Sequence, residues 1–244
     1  MLGYTTAMKV GRRYCSISGK DSVFGRGWSF PYASRIYRDT GDMVQPRIHL
    51  EAVTGHSLCF EKQGDRWISQ CRGTGRFSME VRDGEGFPEK ETFLLTDVVE
   101  HTLSAYDRQG RLSYVEYPNG IRTVLAYGEE GLEQIVTPVG NVLEVVCEEG
   151  HILQITDEIG RRTQYKYKDG CLTDVVHTDE GITHYEYDEG GRIKSVTDQN
   201  GSRYLENEYD EKGRIVRQCF TSGVYQTFAY DDAHRRNMVY FSES

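Results

Sequence analysis

Short runs in which apolar and polar positions alternate recur through the second half of the chain. In Thr183-His184-Tyr185-Glu186-Tyr187 the two tyrosines share one face, and His184 and Glu186 share the other; Tyr165, Lys166 and Tyr167 repeat the arrangement. A period of two is that of a half-buried β-strand. A second kind of run places its apolar residues three apart: Leu112 and Val115, Leu132 and Ile135, Ile152 and Ile155, Leu172 and Val175, Ile193 and Val196. In a regular strand, residues three apart point to opposite faces. Such a run either carries a bulge or is covered on both sides. Burial of both faces is the expectation here, because a sheet left apolar on two open sides would aggregate.

The two kinds of run alternate with a fixed period. Tyr106-Asp107-Arg108-Gln109-Gly110-Arg111-Leu112 returns as Tyr187-Asp188-Glu189-Gly190-Gly191-Arg192-Ile193 and as Tyr209-Asp210-Glu211-Lys212-Gly213-Arg214-Ile215. Weaker copies hold Tyr127 and Gly131, Tyr167 and Gly170, and Tyr230 and Asp231, and one starting at Val146 keeps little beyond Gly150. Starts at 106, 127, 146, 167, 187, 209 and 230 give steps of 21, 19, 21, 20, 22 and 21. A second glycine series runs in phase, at Gly120, Gly140, Gly160, Gly181, Gly201 and Gly223, each at the end of a turn-like stretch. Asp, Asn and Pro preset turns, and Gly supplies the left-handed position. Each unit is therefore predicted to be a β-hairpin, and successive hairpins to pair into one antiparallel sheet. In this reading Tyr rings at a common register stack along the sheet. The Asp accepts hydrogen bonds from its turn, and the Arg lies over a neighbouring Tyr or pairs with an adjacent Asp.

Composition agrees with an all-β fold with little helix. Tyr occurs 17 times and Gly 26 times in 244 residues, while the best helix former, Ala, is scarce. Fourteen strands at about 4.8 Å spacing would run roughly 65 Å. Residues 1–105 are nearly neutral, whereas residues 106–244 hold most of the acidic excess and most of the tyrosines. This predicts two segments, 1–105 and 106–244, meeting near Ala105. Strands are also predicted over Ser57–Phe60, Trp67–Ser69 and Arg76–Val81, with Glu89–Asp97 the one candidate for a short helix.

The net charge of −9 argues against nucleic acid and anionic membrane surfaces as partners. No apolar run is long enough to span a bilayer, and Met1–Lys20 lacks the pattern of a signal peptide. The six cysteines are scattered without a CxxC pair and read as free, partly buried thiols rather than zinc ligands. Asp198-x-Asn200-Gly201 resembles the opening of a calcium loop, but Tyr209 stands where the closing glutamate belongs. No His pair has metal-ligand spacing, and no serine sits in a nucleophile elbow. No cofactor, metal or catalytic residue is assigned. A residue needed once for chemistry would not recur in every repeat.

The Tyr-Asp-x-x-Gly-Arg-Leu/Ile core with its trailing Asp/Pro-x-x-Gly resembles the YD repeat of the RHS family, which includes bacterial surface or secreted proteins, wall-associated proteins and teneurins. Tyr106, Asp107, Gly110, Arg111, Tyr187, Asp188, Gly191, Arg192, Tyr209, Asp210, Gly213 and Arg214 carry it best. Arg13-Tyr14 and Phe24-Gly25-Arg26-Gly27-Trp28-Ser29 are similar to the stretch that precedes such repeats. Their glycines would form a strand-to-strand turn, with the Trp anchoring the first strands.

The resemblance implies a structural role. The chain would be part of a shell wall that, in a full-length protein, encloses or presents a C-terminal toxin or effector. The expected location is secreted or at the cell surface, or cytoplasmic before export, and the chain reads as a fragment of such a protein. The partners implied are the rest of its own chain and, through open sheet edges, a second copy in an edge-to-edge dimer. An alternative reading is a module for carbohydrate or another cell-surface ligand, with Tyr165 and Tyr185 as the candidate stacking rings. A glycosidase-like propeller is a third reading, since two units give the length of a blade.

Overall fold

A computed structural model describes residues 11–39, 47–51, 57–64, 66–69, 76–82, 93–221 and 223–242. Its strands begin with β1 (Arg13–Tyr14), β2 (Trp28–Ser29), β3 (Arg35–Asp39), β4 (Arg47–Glu51), β5 (Ser57–Gln63), β6 (Arg66–Ser69), β7 (Phe77–Val81), β8 (Phe93–Asp97) and β9 (Thr102–Tyr106). The repeats supply β10 (Leu112–Glu116), β11 (Arg122–Tyr127), β12 (Leu132–Val136), β13 (Val142–Glu148), β14 (His151–Asp157) and β15 (Arg162–Lys168). They continue as β16 (Cys171–Val176), β17 (Ile182–Tyr187), β18 (Ile193–Thr197), β19 (Arg203–Tyr209), β20 (Ile215–Phe220), β21 (Tyr225–Asp231) and β22 (Arg236–Phe241).

From β3 to β22 every strand pairs antiparallel with its sequence neighbours, giving one continuous ribbon of 20 strands. The ends, β3 and β22, do not pair with each other, so the ribbon is open. Its first strand folds back onto later ones, with Arg38 of β3 over the Phe93 ring of β8 at 5.3 Å. Arg35 in β3 forms an isolated bridge with Arg111, and the Ile36 N–H donates to the Gly110 carbonyl at 2.8 Å. The compositional boundary near Ala105 falls inside β9, and the hydrogen-bonded ladder runs through it. Phe93–Asp97, the second half of the candidate helix, is β8; residues 89–92 lie outside the described residues.

The three-residue apolar spacing has a different cause from the one expected. Each second strand from β10 to β20 carries a one-residue bulge, so that 126 pairs with 134 but 127 with 132, and 166 with 174 but 167 with 172. The same shift occurs at Cys147, Tyr187 and Tyr209. An extra residue in one strand returns the apolar side chain to the same face. Leu132 and Ile135, Ile152 and Ile155, Leu172 and Val175, and Ile193 and Val196 are therefore all buried together in one core. The opposite face of this stretch carries polar cross-strand pairs, among them Gln134 with Glu144 and Asp174 with His184. A sheet apolar on one side needs only one cover, and residues 12–30 supply it. Phe24, Trp28 and Phe30 are buried against the repeat core.

Candidate functional site

What recurs along the ribbon is a clip between successive hairpins. In each tight Tyr-Asp turn the carboxylate serves its own loop. Asp188 Oδ1 accepts the N–H groups of Gly190 and Arg192 at 3.0 and 2.9 Å, and Oδ2 accepts Arg192 Nε at 2.7 Å. Asp210 does the same for Lys212 and Arg214, and Asp107 for Arg111. The arginine so fixed then lies over the tyrosine of the next unit. Arg111 sits 4.5 Å from the Tyr127 ring, Arg192 4.8 Å from Tyr209, and Arg214 4.1 Å from Tyr230. Such contacts contribute roughly 0.5–1 kcal/mol each at partly exposed sites. Arg214 also reaches Asp232 of the following turn at 2.7 Å.

The tyrosine closes the clip in the other direction. Its hydroxyl donates to the first apolar carbonyl of the preceding unit: Tyr127 to Leu112, Tyr167 to Ile152, Tyr187 to Leu172, Tyr209 to Ile193 and Tyr230 to Ile215, at 2.7–3.0 Å. Repeat tyrosines stand on alternate strands, about 9–10 Å apart, too far for their rings to stack on one another as expected. The rings of Tyr127, Tyr209 and Tyr230 take a guanidinium instead, while Tyr167 meets His151 and Tyr187 meets Tyr14. Burial pushes the hydroxyls of Tyr127, Tyr167, Tyr187 and Tyr209 well above the usual phenol range. The degenerate unit obeys the same geometry with a thiol. Cys147, not Val146, holds the tyrosine register, opposite Ile152, and its Sγ donates to the Leu132 carbonyl at 3.2 Å. The sequence carried the signal: five residues separate Cys147 from Ile152, as they do Tyr127 from Leu132 and Tyr167 from Leu172.

The carboxylates of Asp188 and Asp210 titrate below the ordinary range. For Asp188, partial burial opposes the shift, and the hydrogen bonds from Arg192 overcome it; for Asp210, the Arg214 backbone N–H leads. Four units depart from this Asp–Arg pattern: those of Cys147 and Tyr167 have neither residue at these positions, and the other two use different contacts. Gly131 accepts directly from the Gly128 N–H at 2.8 Å, and Asp231 binds His234 Nδ1 at 2.7 Å rather than an arginine.

The N-terminal segment is a strap across these turns. Ser16 Oγ donates to the Gly213 carbonyl, and Tyr14 Oη donates to that of Gly191 while accepting the Ile193 N–H at 3.1 Å. The Arg26 N–H donates to Gly170 at 3.0 Å, Val23 accepts from Ile152 at 2.8 Å, and Ser34 meets the Tyr106 hydroxyl at 3.1 Å. Gly25 and Gly27 form the expected turn between β1 and β2, but Trp28 anchors far from the first strands of the ribbon. Its ring packs edge-on against Tyr14 and Tyr185, and its Nε1 donates to the Tyr187 hydroxyl at 3.1 Å.

This packing corrects the carbohydrate reading. Tyr165 and Tyr185, the candidate stacking rings, are only 5% and 7% exposed. Phe24 covers Tyr165 with a centroid separation of 4.9 Å, and Trp28 covers Tyr185 at 5.1 Å. Arg12 lies over both rings and donates to the Tyr185 hydroxyl at 2.8 Å. No face is left for a sugar. Asp198, the calcium-loop candidate, spends its Oδ1 on the N–H groups of Asn200 and Ser202, both at 2.9 Å. Among the described residues no group of acidic, His or Cys side chains is arranged to hold a metal ion. Five of the cysteines are free thiols; Cys71 lies outside the described residues.

The family model of the teneurin YD-shell matches residues 92–216, just over half of the chain. The chain belongs to the teneurin YD-shell family. Two relatives are the probable deoxyribonucleases RhsB and RhsA of Dickeya dadantii (strain 3937). Each is 24% identical, over 96% and 95% of this chain, but the match spans only 18% of each relative's length. Solved structures with a similar fold include TcdB2-TccC3-TEV, at 13% identity, 80% of this chain, 11% of that one and a TM-score of 0.44. A Photorhabdus luminescens Tc holotoxin pore matches at 12% identity, 81% of this chain, 14% of that one and a TM-score of 0.41. As a member of the YD-shell family, the chain has a structural role, that of a stretch of shell wall.

Proposed function

We propose that this wall, in the full-length protein, encloses or presents a C-terminal effector and performs no catalysis itself. The observation that carries the reading is the recurrence, from Tyr127 to Tyr230, of one bond to the carbonyl of the preceding unit, with no metal-binding cluster among the described residues. Residues repeated at a fixed register build neighbour-to-neighbour interfaces, as in other one-dimensional repeat proteins. The names of the relatives support an effector of hydrolytic kind, and more than four-fifths of each lies outside the matched stretch. The partners in this reading are the remainder of its own chain. The site of action is outside the producing cell or at its surface.

Two measurements test it. Purified chain incubated with duplex and single-stranded DNA should leave both intact. Digestion by a nuclease-free preparation would refute the non-catalytic role. In the whole gene product, limited proteolysis should spare the effector while the wall is native and digest it once the strap is loosened by Trp28→Ala. An effector cleaved equally fast in both proteins would contradict enclosure.

A further inference from the structure

Arg12 stands at the start of the strap, and its described partners are three aromatic rings and one hydroxyl. Its Cζ lies 5.4 Å from the Trp28 centroid, 5.7 Å from that of Tyr165 and 5.9 Å from that of Tyr185. Its Nη2 donates to the Tyr185 hydroxyl at 2.8 Å. Trp28 belongs to the strap, Tyr165 to β15 and Tyr185 to β17, so two layers of the fold build the walls. Trp28 and Tyr185 meet at 78°, which makes a corner rather than a stack. β16 lies between β15 and β17. Two strand spacings are about 9–10 Å, so the two tyrosine rings do not close on each other, and the flat guanidinium takes the space they leave.

A guanidinium suits such a corner. It is planar and more weakly hydrated than an ammonium, and it lies on ring faces while its edge N–H groups donate. The rings supply electron-rich faces, and Tyr185 supplies the oxygen. The Arg12 charge also reaches the hydroxyls of Tyr165 and Tyr204: burial pushes both up, and the cation pulls them back. The fit of Arg12 itself is incomplete. The residue is half-buried, and its Nε is buried without a hydrogen-bond partner. Nε is the atom through which the head is tied to the strap, so the orphaned donor is a cost of the tether. A guanidinium free of the backbone can turn that N–H toward the open side.

We propose that the corner formed by Trp28, Tyr165 and Tyr185 is a binding site for alkylguanidinium cations, which the chain fills with its own Arg12. The first residue of the strap is then a tethered ligand, and a free cation of the same class competes with it. The site is distinct from the clips, where Arg111, Arg192 and Arg214 each pair with an aspartate as well as a ring. It is independent of what the wall encloses.

Arg12→Ala empties the site in the full chain. Ethylguanidinium is the probe, with sodium chloride and ethylammonium at equal concentration as controls, and thermal unfolding followed by circular dichroism is the readout. The variant should melt below the wild type. Ethylguanidinium should raise its melting temperature saturably, with a dissociation constant of about 1–10 mM. At ten times that constant the rise should be about 3–5 °C. The wild type should show no such rise, because Arg12 already fills the corner. Adding Tyr185→Phe to Arg12→Ala removes the acceptor and should weaken ethylguanidinium by about tenfold or more. An Arg12→Ala chain that does not fold alone should be restored by ethylguanidinium and not by salt; failure of that rescue would overturn the proposal. So would a folded variant that melts with the wild type, gives no saturable response, or responds equally to sodium chloride or ethylammonium. A wild type that responds as the variant does would place the binding elsewhere and overturn it too.

Discussion

Tyr187 ties three parts of the molecule together, and its hydroxyl is the most informative single group to delete. It donates to the Leu172 carbonyl at 2.7 Å and accepts the Trp28 indole N–H at 3.1 Å, joining one hairpin to the previous one and to the strap. Tyr230 makes the first of these bonds, to Ile215 at 2.7 Å, but has no strap residue above it. Deletion of a single hydrogen bond from a half-buried tyrosine destabilises by about 0.5–1.5 kcal/mol, and a buried donor left without a partner adds about 1–3 kcal/mol. Tyr187→Phe removes the donated bond and orphans the Trp28 N–H, which lies on a ring only 8% exposed. Its expected cost is about 2–4 kcal/mol, against about 1 kcal/mol for Tyr230→Phe. Equilibrium urea unfolding, followed by circular dichroism and by tryptophan fluorescence, reads the difference; coincident transitions license a single free energy. A cycle with Trp28→Phe isolates the pair, with a coupling of about 1 kcal/mol or more expected for contacting groups. Equal losses for Tyr187→Phe and Tyr230→Phe, or a double mutant equal to the sum of its singles, would refute the view that the strap is bonded into the clips.

Gly110→Ala should destabilise strongly, because a Cβ there would lie 1.6 Å from the Ile36 carbonyl oxygen. Gly120→Ala has a similar backbone angle and open space, so it should lose only the left-handed strain of about 1–2 kcal/mol; comparable melting temperatures for the two would contradict the self-contact of the ribbon. Leu172→Ala, at a fully buried position, should cost about 2–5 kcal/mol, measured by the same urea titration, and a smaller loss would mean the core face is not closed there. In acid, the depressed carboxyls of Asp188 and Asp210 stabilise the fold above the unfolded carboxylate range of about 4 and lose that contribution as pH falls through their lower folded values. Asp188→Asn should flatten the acid limb of a stability-against-pH curve, and an unchanged limb would discard this assignment. In alkali, burial, opposed by its hydrogen bonds to Ser34 and Ser104, pushes Tyr106 up to about 12. Its contribution is whole below the unfolded phenol value of about 10 and is lost as pH climbs through the folded one. Phenolate absorbance of Tyr106→Phe should lack this late component.

The hairpin period was legible because its cause is local. A Tyr-Asp turn needs its glycine and its capping carboxylate within five residues, and each copy states the requirement afresh. The bulge was half legible. Residues three apart, such as Leu172 and Val175, announced a departure from plain alternation but not its kind. Only the pairing of Tyr167 with Leu172 beside Lys166 with Asp174 tells a shifted register from a two-sided strand. A unit start at Val146 follows from residue type, whereas the spacing to Ile152 marks Cys147. The thiol of Cys147 fills the place of a phenol and leaves no tyrosine to count.

The strap lay beyond what periodicity can show. Tyr14 meets Ile193, and Trp28 meets Tyr187, across separations of more than 150 residues, and nothing in a run of ten residues encodes a partner so distant. What the sequence does contain is an imbalance. Tyr165 and Tyr185 are amphipathic rings on a face that the repeat alone would leave half open. Nearest-neighbour clips hold hairpin to hairpin, but they cannot cover that face. A one-layer ribbon must find a second layer from outside the repeat, and Phe24, Trp28 and Phe30 are the large apolar residues in the segment with no period of its own. Burial of the core face therefore follows the reach of the strap formed by residues 12–30, which no nearest-neighbour contact along the ribbon could have set.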